Sequence, residues 1–385
     1  MPLVTRCFLA AIVLSLGIVA IAAEPGVKAE GQPPPPVASP TEKPLIQLAL
    51  LLDNSGSMQG LIDQARSQLW TVVNHLARTK KNGQTPRLEV ALYSYGDRPQ
   101  QLLAFTDDLD AVSEKLFGIG INGGSEHCGE VIKLSMDELK WSDAVGVYKS
   151  IFIAGNEPFT QGPIDYTSAC ETASARGIVI NTIHCGSESE GVNGKWADGA
   201  RVGGGKYLCI DSNKAVVAIV APQDAEIAAL SAKLNGTYVP FGAQGRANAE
   251  RQVAQDQAAA TAPAAAAAGA PLLRAQAKSS SLYRNGSWDL VDAVVNDKTV
   301  KLEDVKDADL PEPMRGMTAE QRKAHVEQQA KARADIQTKI QSLSGDREKF
   351  ITEKRRETAA GGAETTLDSA ILSAVGEQLK EKKFE

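Results

Sequence analysis

The sequence predicts an α/β protein: a doubly wound, mostly parallel six-stranded sheet with helices on both faces, followed by a C-terminal helical extension. Three observations carry this. Leu45 to Leu52 is an almost unbroken apolar run, as expected of a central parallel strand buried on both faces. From there to about residue 235, β-forming runs alternate with amphipathic stretches of helical period, the pattern of repeated strand–helix units. The chain has 385 residues, 43% of them hydrophobic, enough to bury a full core and leave material for a second small unit.

A leader comes first. Arg6 precedes an apolar run from Phe8 to Ala23, and Ala20-Ile21-Ala22 supplies small residues where a signal peptidase needs them. The run is about 16 residues, short of the roughly 20 that span a bilayer. Residues 1–23 are therefore expected to be a cleaved signal peptide, and an uncleaved one is the membrane attachment the sequence offers. Residues 24–43 are expected to be a Pro-rich tether: Pro33 to Pro36 form a polyproline run, with Pro40 and Pro44 close behind. Such a segment is extended and packs no core.

The folded α/β unit is expected over 44–245. After the first strand, Leu61, Ala65, Leu69, Val73 and Leu76 recur at helical spacing within 61–80. Arg87 to Tyr95 is the second strand, and the short run Gln100 to Phe105 suits an edge strand. Thr106 is placed to cap a helix over 107–117, whose first turn holds Asp107, Asp108 and Asp110. A Gly-rich loop at 118–124 leads into a helix at about 127–139, and Ser150 to Ala154 is the next strand. A helix at 164–176 leads to the strand Ile178 to His184. A polar, Gly-rich excursion at 186–205 precedes the strand Lys206 to Ile210. A helix at 223–234 ends at Asn235-Gly236, a C-cap pair.

Residues 246–281 break the pattern. Ala262 to Ala270 is nearly pure alanine, interrupted by Pro263 and Gly269, and reads as a linker with room for a short helix at 246–260. The region 282–385 is expected to be a separate, mainly helical unit. Trp288, Leu290, Val291, Val294 and Val295 suit a strand pair or a small docking motif. Thr318-Ala319-Glu320-Gln321 is a capping box opening a helix to about 343, and a second helix spans 345–358. Thr366 to Phe384 is amphipathic, with Leu367, Ile371, Leu372, Val375 and Leu379 on one stripe.

Net charge is -6, and basic residues are interleaved with acidic ones, so no positive field for nucleic acid exists. The mixed charges of the C-terminal helices point to protein contact rather than lipid. No Gly-x-x-x-x-Gly-Lys-Ser/Thr phosphate cradle and no Gly-x-Ser-x-Gly nucleophile elbow occurs.

The residues that carry chemistry follow the first strand. Asp53, Ser55 and Ser57 stand at alternate positions in Asp53-Asn54-Ser55-Gly56-Ser57. A hard divalent cation takes oxygen ligands, and one carboxylate with two hydroxyls supplies three. Gly56 lets the chain turn tightly enough for alternate side chains to converge. The loop sits at the carboxyl end of a strand, where open α/β sheets bind ligands.

Asp-x-Ser-x-Ser after an apolar strand resembles the metal-ion-dependent adhesion site of von Willebrand factor A domains. The resemblance covers roughly 45–240 and implies a Rossmann-like sheet. It implies a further ligand from a second loop, where Gly123-Gly124-Ser125 offers Ser125. It also implies an Asp after the fourth strand, but the chain reads Ile151-Phe152-Ile153-Ala154-Gly155-Asn156-Glu157-Pro158. Gly155 stands at the Asp position, which leaves Asn156 or Glu157 to substitute, directly or through water. Gly203-Gly204-Gly205-Lys206-Tyr207 resembles the family's Gly-Gly-x-Tyr entry to the last strand. The implied ion is Mg²⁺ (or Mn²⁺/Ca²⁺), with open positions completed by an acidic side chain of a protein partner.

Other constellations stand beside this one. Export leaves Cys128, Cys170, Cys185 and Cys209, an even number that permits two disulfides or buried free thiols. Cys185 and Cys209 fall on neighbouring strands and are the first pair to test. His127-Cys128 and His184-Cys185 invite comparison with zinc, but lack the gap typical of structural zinc sites. The sequence thus points to an exported, non-enzymatic binding module of the periplasm or cell envelope. The alternative is an envelope structural or assembly protein with a degenerate metal site, working through its C-terminal helices. An accessory subunit of an ATPase machine is disfavoured by export.

Overall fold

The computed structural model of the protein describes residues 43–96, 98–213, 218–358 and 367–385; the expected leader, and the tether apart from Lys43, lie outside them. Six strands form the sheet: β1 (Leu45–Asp53), β2 (Arg87–Tyr95), β3 (Gln100–Thr106), β4 (Tyr148–Gly155), β5 (Val179–Cys185) and β6 (Gly204–Ile210). Their order is β3-β2-β1-β4-β5-β6, parallel except for β3, which pairs antiparallel with β2 at the edge. β1 and β4 lie at the centre, which is why β1 carries apolar residues on both faces.

Side chains alternate across the sheet. Ile46, Leu48 and Leu52 of β1 face one core, together with Phe152, Ile183 and Ile210. Ala49 and Leu51 face the other, with Tyr93, Tyr95, Ile151 and Ile153. The first core is covered by α1 (Gln59–Arg78), α2 (Leu109–Gly118) and further C-terminal helices. The second is covered by α3 (Cys128–Glu138), α4 (Tyr166–Ala175) and the region around Trp196. The fold class thus matches the expectation.

Local differences have local causes. Asp108, not Thr106, caps α2: its carboxylate accepts from the N–H groups of Asp110 and Ala111, while Thr106 Oγ1 accepts from the N–H of Asp108. The excursion at 186–205 contains two short helices, α5 (Glu188–Asn193), opened by a Ser187–Glu190 capping box, and α6 (Trp196–Val202).

The alanine-rich stretch is not a linker. After α7 (Asp224–Asn235) come α8 (Gly245–Thr261), α9 (Pro263–Ala267) and α10 (Ala270–Lys278). Alanine is the strongest helix former, and Ala265, Ala270, Ala275 and Ala277 are buried in the first core, where small side chains let helices approach α1 closely. Pro263 opens α9, and Gly269, at φ +78, turns the chain between α9 and α10. The buried Arg274 guanidinium joins Asp110 of α2 at 2.7 Å and Asp256 of α8 at 2.5 Å, and lies over the Trp70 ring of α1.

The region 282–385 joins the same compact unit. Trp288 and Leu290 are buried, and Val291–Asn296 forms a short wide-turned helix rather than a strand. α11 runs unbroken from Ala319 to Thr358, through Gly345, where a break was expected. Packing of Ile340 and an Arg347–Asp224 ion pair at 2.7 Å on either side of Gly345 offset the roughly 1 kcal/mol helix cost of a glycine. Buried Arg333 ties α11 to Asp289 at 2.7 Å and to the Thr237 carbonyl at 2.8 Å.

α12 (Leu367–Glu381) lies against α1, β5 and β6. Its expected stripe is what it buries: Leu367, Ile371, Val375 and Leu379 enter the first core. Buried Gln378 accepts from Tyr148 Oη at 2.6 Å and donates to Asn181 Oδ1 at 2.7 Å. Beyond it, Lys80 and Glu385 exchange two backbone hydrogen bonds of 2.7 Å.

Candidate metal centre

Three loops meet at the carboxyl edge of the sheet: the one after β1, the one before α3 and the one after β4. Asp53 ends β1 on the α3 face and is fully buried. Its Oδ1 accepts from the Ser55 N–H at 2.7 Å, which folds the loop back on the strand end. Asn54 locks this loop to its neighbours: its N–H donates to Tyr95 O at 3.0 Å, its carboxamide donates to Gly120 O at 3.0 Å, and its carbonyl accepts from the Asn122 N–H at 2.7 Å.

Ser55 is also buried, and its hydroxyl donates to Glu126 Oε1 at 2.8 Å. The other Glu126 oxygen accepts from the Glu157 N–H at 3.1 Å. One buried carboxylate therefore holds all three loops together. Further out, the exposed Ser57 hydroxyl donates to Asn156 Oδ1 at 3.3 Å. The site has a buried acidic floor and an exposed neutral rim.

Electrostatics make the floor incomplete by itself. Burial, and then the neighbouring Glu126 carboxyl, push the Asp53 carboxyl up to about 9. Asp53 Oδ2 is buried with no hydrogen-bond partner among the described residues. Two buried carboxyl groups with a spare oxygen, ringed by hydroxyl and amide oxygens, fit a hard divalent cation. Among the described residues no three His, Cys, Asp or Glu side chains converge.

Asp53 and Ser55 share the floor, and Ser57 and Asn156 share the rim. Ser125 is exposed beside Glu126. Glu157 turns its backbone to Glu126 and its carboxylate to Gln161 Nε2 at 3.3 Å. Gly155 has a steric reason: a Cβ there would stand 2.6 Å from Tyr95 Oη and 3.1 Å from Asp53 Oδ2. Glu126 is the residue the sequence reading missed. Its signal was an acidic side chain directly after Gly123-Gly124-Ser125 and just ahead of a helix.

The other constellations do not assemble. His127 Nδ1 pairs with Glu130 at 2.8 Å on the surface, while His184 sits inside the sheet edge. Cys128, Cys170, Cys185 and Cys209 are free thiols. Cys185 pairs in register with Ile210 and Cys209 with His184, so Cys185 and Cys209 point to opposite faces and cannot bond.

Residues 48–153 match the profile of the family described as von Willebrand factor type A domain. No curated protein matches the chain. Among solved structures, the chain is similar to an aerotolerance-related membrane protein from Bacteroides fragilis, at 18% identity, 44% of this chain, 93% of that one and a TM-score of 0.33. It is similar to the conserved hypothetical protein BatB from Bacteroides thetaiotaomicron, at 18% identity, 43% and 90% coverage and a TM-score of 0.36. It is also similar to the vWF domain of the type V pili tip protein Mfa5 from Porphyromonas gingivalis, at 13% identity, 44% and 90% coverage and a TM-score of 0.34. The matched segment runs from within β1 into β4 and contains two of the three loops of the candidate centre, the one after β1 and the one before α3; over that segment the chain matches the von Willebrand factor type A domain family.

Proposed function

We propose that the protein is an exported, non-enzymatic binding module that recognises an acidic group on a protein partner through a divalent cation. The observation that carries this is Asp53 Oδ2, buried and unpartnered beside a second buried carboxyl, Glu126. Asp53, Ser55 and Ser57 would hold the ion, with Asn156 on the rim and Ser125 and Glu157 on the adjoining loops. When bound, the ion supplies a positive charge with open positions for a carboxylate oxygen. Glu126 positions the Ser55 hydroxyl and braces the loop after β4. The apolar leader supports export to the periplasm or cell envelope. No helix among the described residues is long and apolar enough to cross a membrane.

The test is calorimetric titration of the full chain with Mg²⁺ and with Mn²⁺, beside Asp53→Ala. Wild type is expected to bind one ion and the variant none. Absence of binding to wild type overturns the reading. A second arm asks whether an immobilised Asp- or Glu-containing peptide retains the protein in Mg²⁺ and releases it in EDTA.

A further inference from the structure

At the level of Asp53 the sheet presents a row of residues on the α3 face. Tyr95 of β2 pairs with Asp53, Gly155 of β4 with His184 of β5, and His184 with Cys209 of β6. The pairing of Leu52 with Ala154 sets Gly155 beside Asp53. Tyr95 Oη is spent on the Ala154 carbonyl at 2.8 Å, and the Cys209 thiol on Tyr207 Oη at 2.9 Å. The two members that flank Gly155 are not satisfied. Asp53 Oδ2 and both ring nitrogens of His184 are buried with no hydrogen-bond partner among the described residues. An unpartnered buried polar atom costs on the order of 1–3 kcal/mol, so Asp53 and His184, on the strands to either side of Gly155, both leave polar atoms for something polar to satisfy.

His184 is held there rigidly. Its ring is 2% exposed, and Trp196 packs at 5.7 Å between centroids. Its Nε2–Cδ2 edge lies against Gly186, where a Cβ would stand 2.7 Å from Nε2 and 3.4 Å from Cδ2, and its Cγ–Cδ2 bond lies against Gly191, where a Cβ would stand 2.8 and 2.9 Å from those atoms. Nδ1 is on the opposite edge of the ring. Burial lowers the imidazole below its ordinary range against the pull of the Glu190 and Glu126 carboxylates, which favours the neutral ring, with one N–H and one bare nitrogen. Glu190 is itself occupied by Ser187, whose hydroxyl donates to it at 2.7 Å.

We infer that His184 is a positioning residue of the cation site: its Nδ1, the ring nitrogen away from Gly186, accepts a hydrogen bond, across Gly155, from a water in the shell of the ion held at Asp53. This rests on the cation reading above. Hard cations held by few protein oxygens keep several waters. Outer partners of this kind orient the shell, and their loss typically lowers metal affinity 10–100-fold.

The test uses the full chain as wild type, His184→Leu and His184→Gln. Calorimetry with Mg²⁺ reads affinity, melting in EDTA reads the empty fold, and nitrogen NMR of labelled histidine reads the ring. His184→Leu is expected to bind Mg²⁺ about 10–100-fold more weakly, with melting in EDTA unchanged or raised because two unpartnered nitrogens are gone. His184→Gln keeps an acceptor and recovers most of the affinity. Mg²⁺ is expected to shift the His184 ring nitrogens in wild type and not in Asp53→Ala. Wild-type affinity in His184→Leu, or unmoved ring nitrogens in Mg²⁺-bound wild type, overturns the inference while leaving the cation reading intact. No Mg²⁺ binding to wild type overturns both.

Discussion

Gly155→Ala is the sharpest probe of how the candidate centre is packed. The added Cβ would stand 2.6 Å from Tyr95 Oη and 3.1 Å from both Cβ and Oδ2 of Asp53. The backbone at Gly155 is not left-handed, so the effect is one of space alone. Tyr95 is fully buried and cannot swing into solvent. Overpacking of this kind costs about 1–3 kcal/mol, and displacing the Tyr95 hydroxyl from the Ala154 carbonyl adds about 1 kcal/mol. Gly155→Ala is therefore expected to lose about 2–4 kcal/mol in urea denaturation in EDTA. Tyr95→Phe should lose only its hydrogen bond, about 1 kcal/mol. Tyr95→Phe removes the atom that collides, so the double variant should be less damaged than the sum, with a coupling of about 1–3 kcal/mol. Additivity within about 0.5 kcal/mol, or a Gly155→Ala protein as stable as wild type, refutes this reasoning.

Other consequences can be measured on the same protein. Mg²⁺ at a hundred times its dissociation constant should raise unfolding stability by about 2.7 kcal/mol in wild type and not in Asp53→Ala, read by denaturation with and without EDTA. Ile371→Ala, on the buried stripe of α12, should cost about 2–5 kcal/mol by the same assay. Gln378→Leu should cost about 1–3 kcal/mol by leaving Tyr148 Oη and Asn181 Oδ1 short of a partner. Burial pushes the Lys278 ammonium down to about 8, against 10.5 ordinarily. Between those values the unfolded chain keeps a proton that the folded protein has released, so stability should rise with pH across this window, by at most about 1.4 kcal/mol per unit. Lys278→Met should flatten that rise, as measured by denaturation from neutral pH to about 10.

Much of the sheet was legible because each strand carries its own signal. The doubly buried run of β1 and the full length of β2 can be read from their residues, since local hydrophobic pattern decides them. The caps were less legible: Asp107 and Asp108 both stand beside Thr106, and the choice among them depends on which backbone N–H groups point back. The alanine stretch misled because composition does not tell a solvated chain from a helix buried against α1. Of the centre, Asp53, Ser55 and Ser57 could be found from spacing after a strand. Glu126 could not, because its role comes from the meeting of three loops distant in sequence. Gly155 was legible as a departure but not as a necessity; the hydroxyl that excludes a side chain there comes from Tyr95, two strands away.

The place of α12 bears on how the molecule comes into being. All six strands precede it in the chain, with the whole helical extension between β6 and the helix that closes the first core. While the protein is being made, Leu48, Phe152, Ile183 and Ile210 have their sheet partners before they have their full cover. Contacts that join such distant segments form slowly, and apolar sheet surface left open meanwhile is prone to association. The lid arrives late, and until α12 emerges the first core stays open along the face that Leu367, Ile371, Val375 and Leu379 cover.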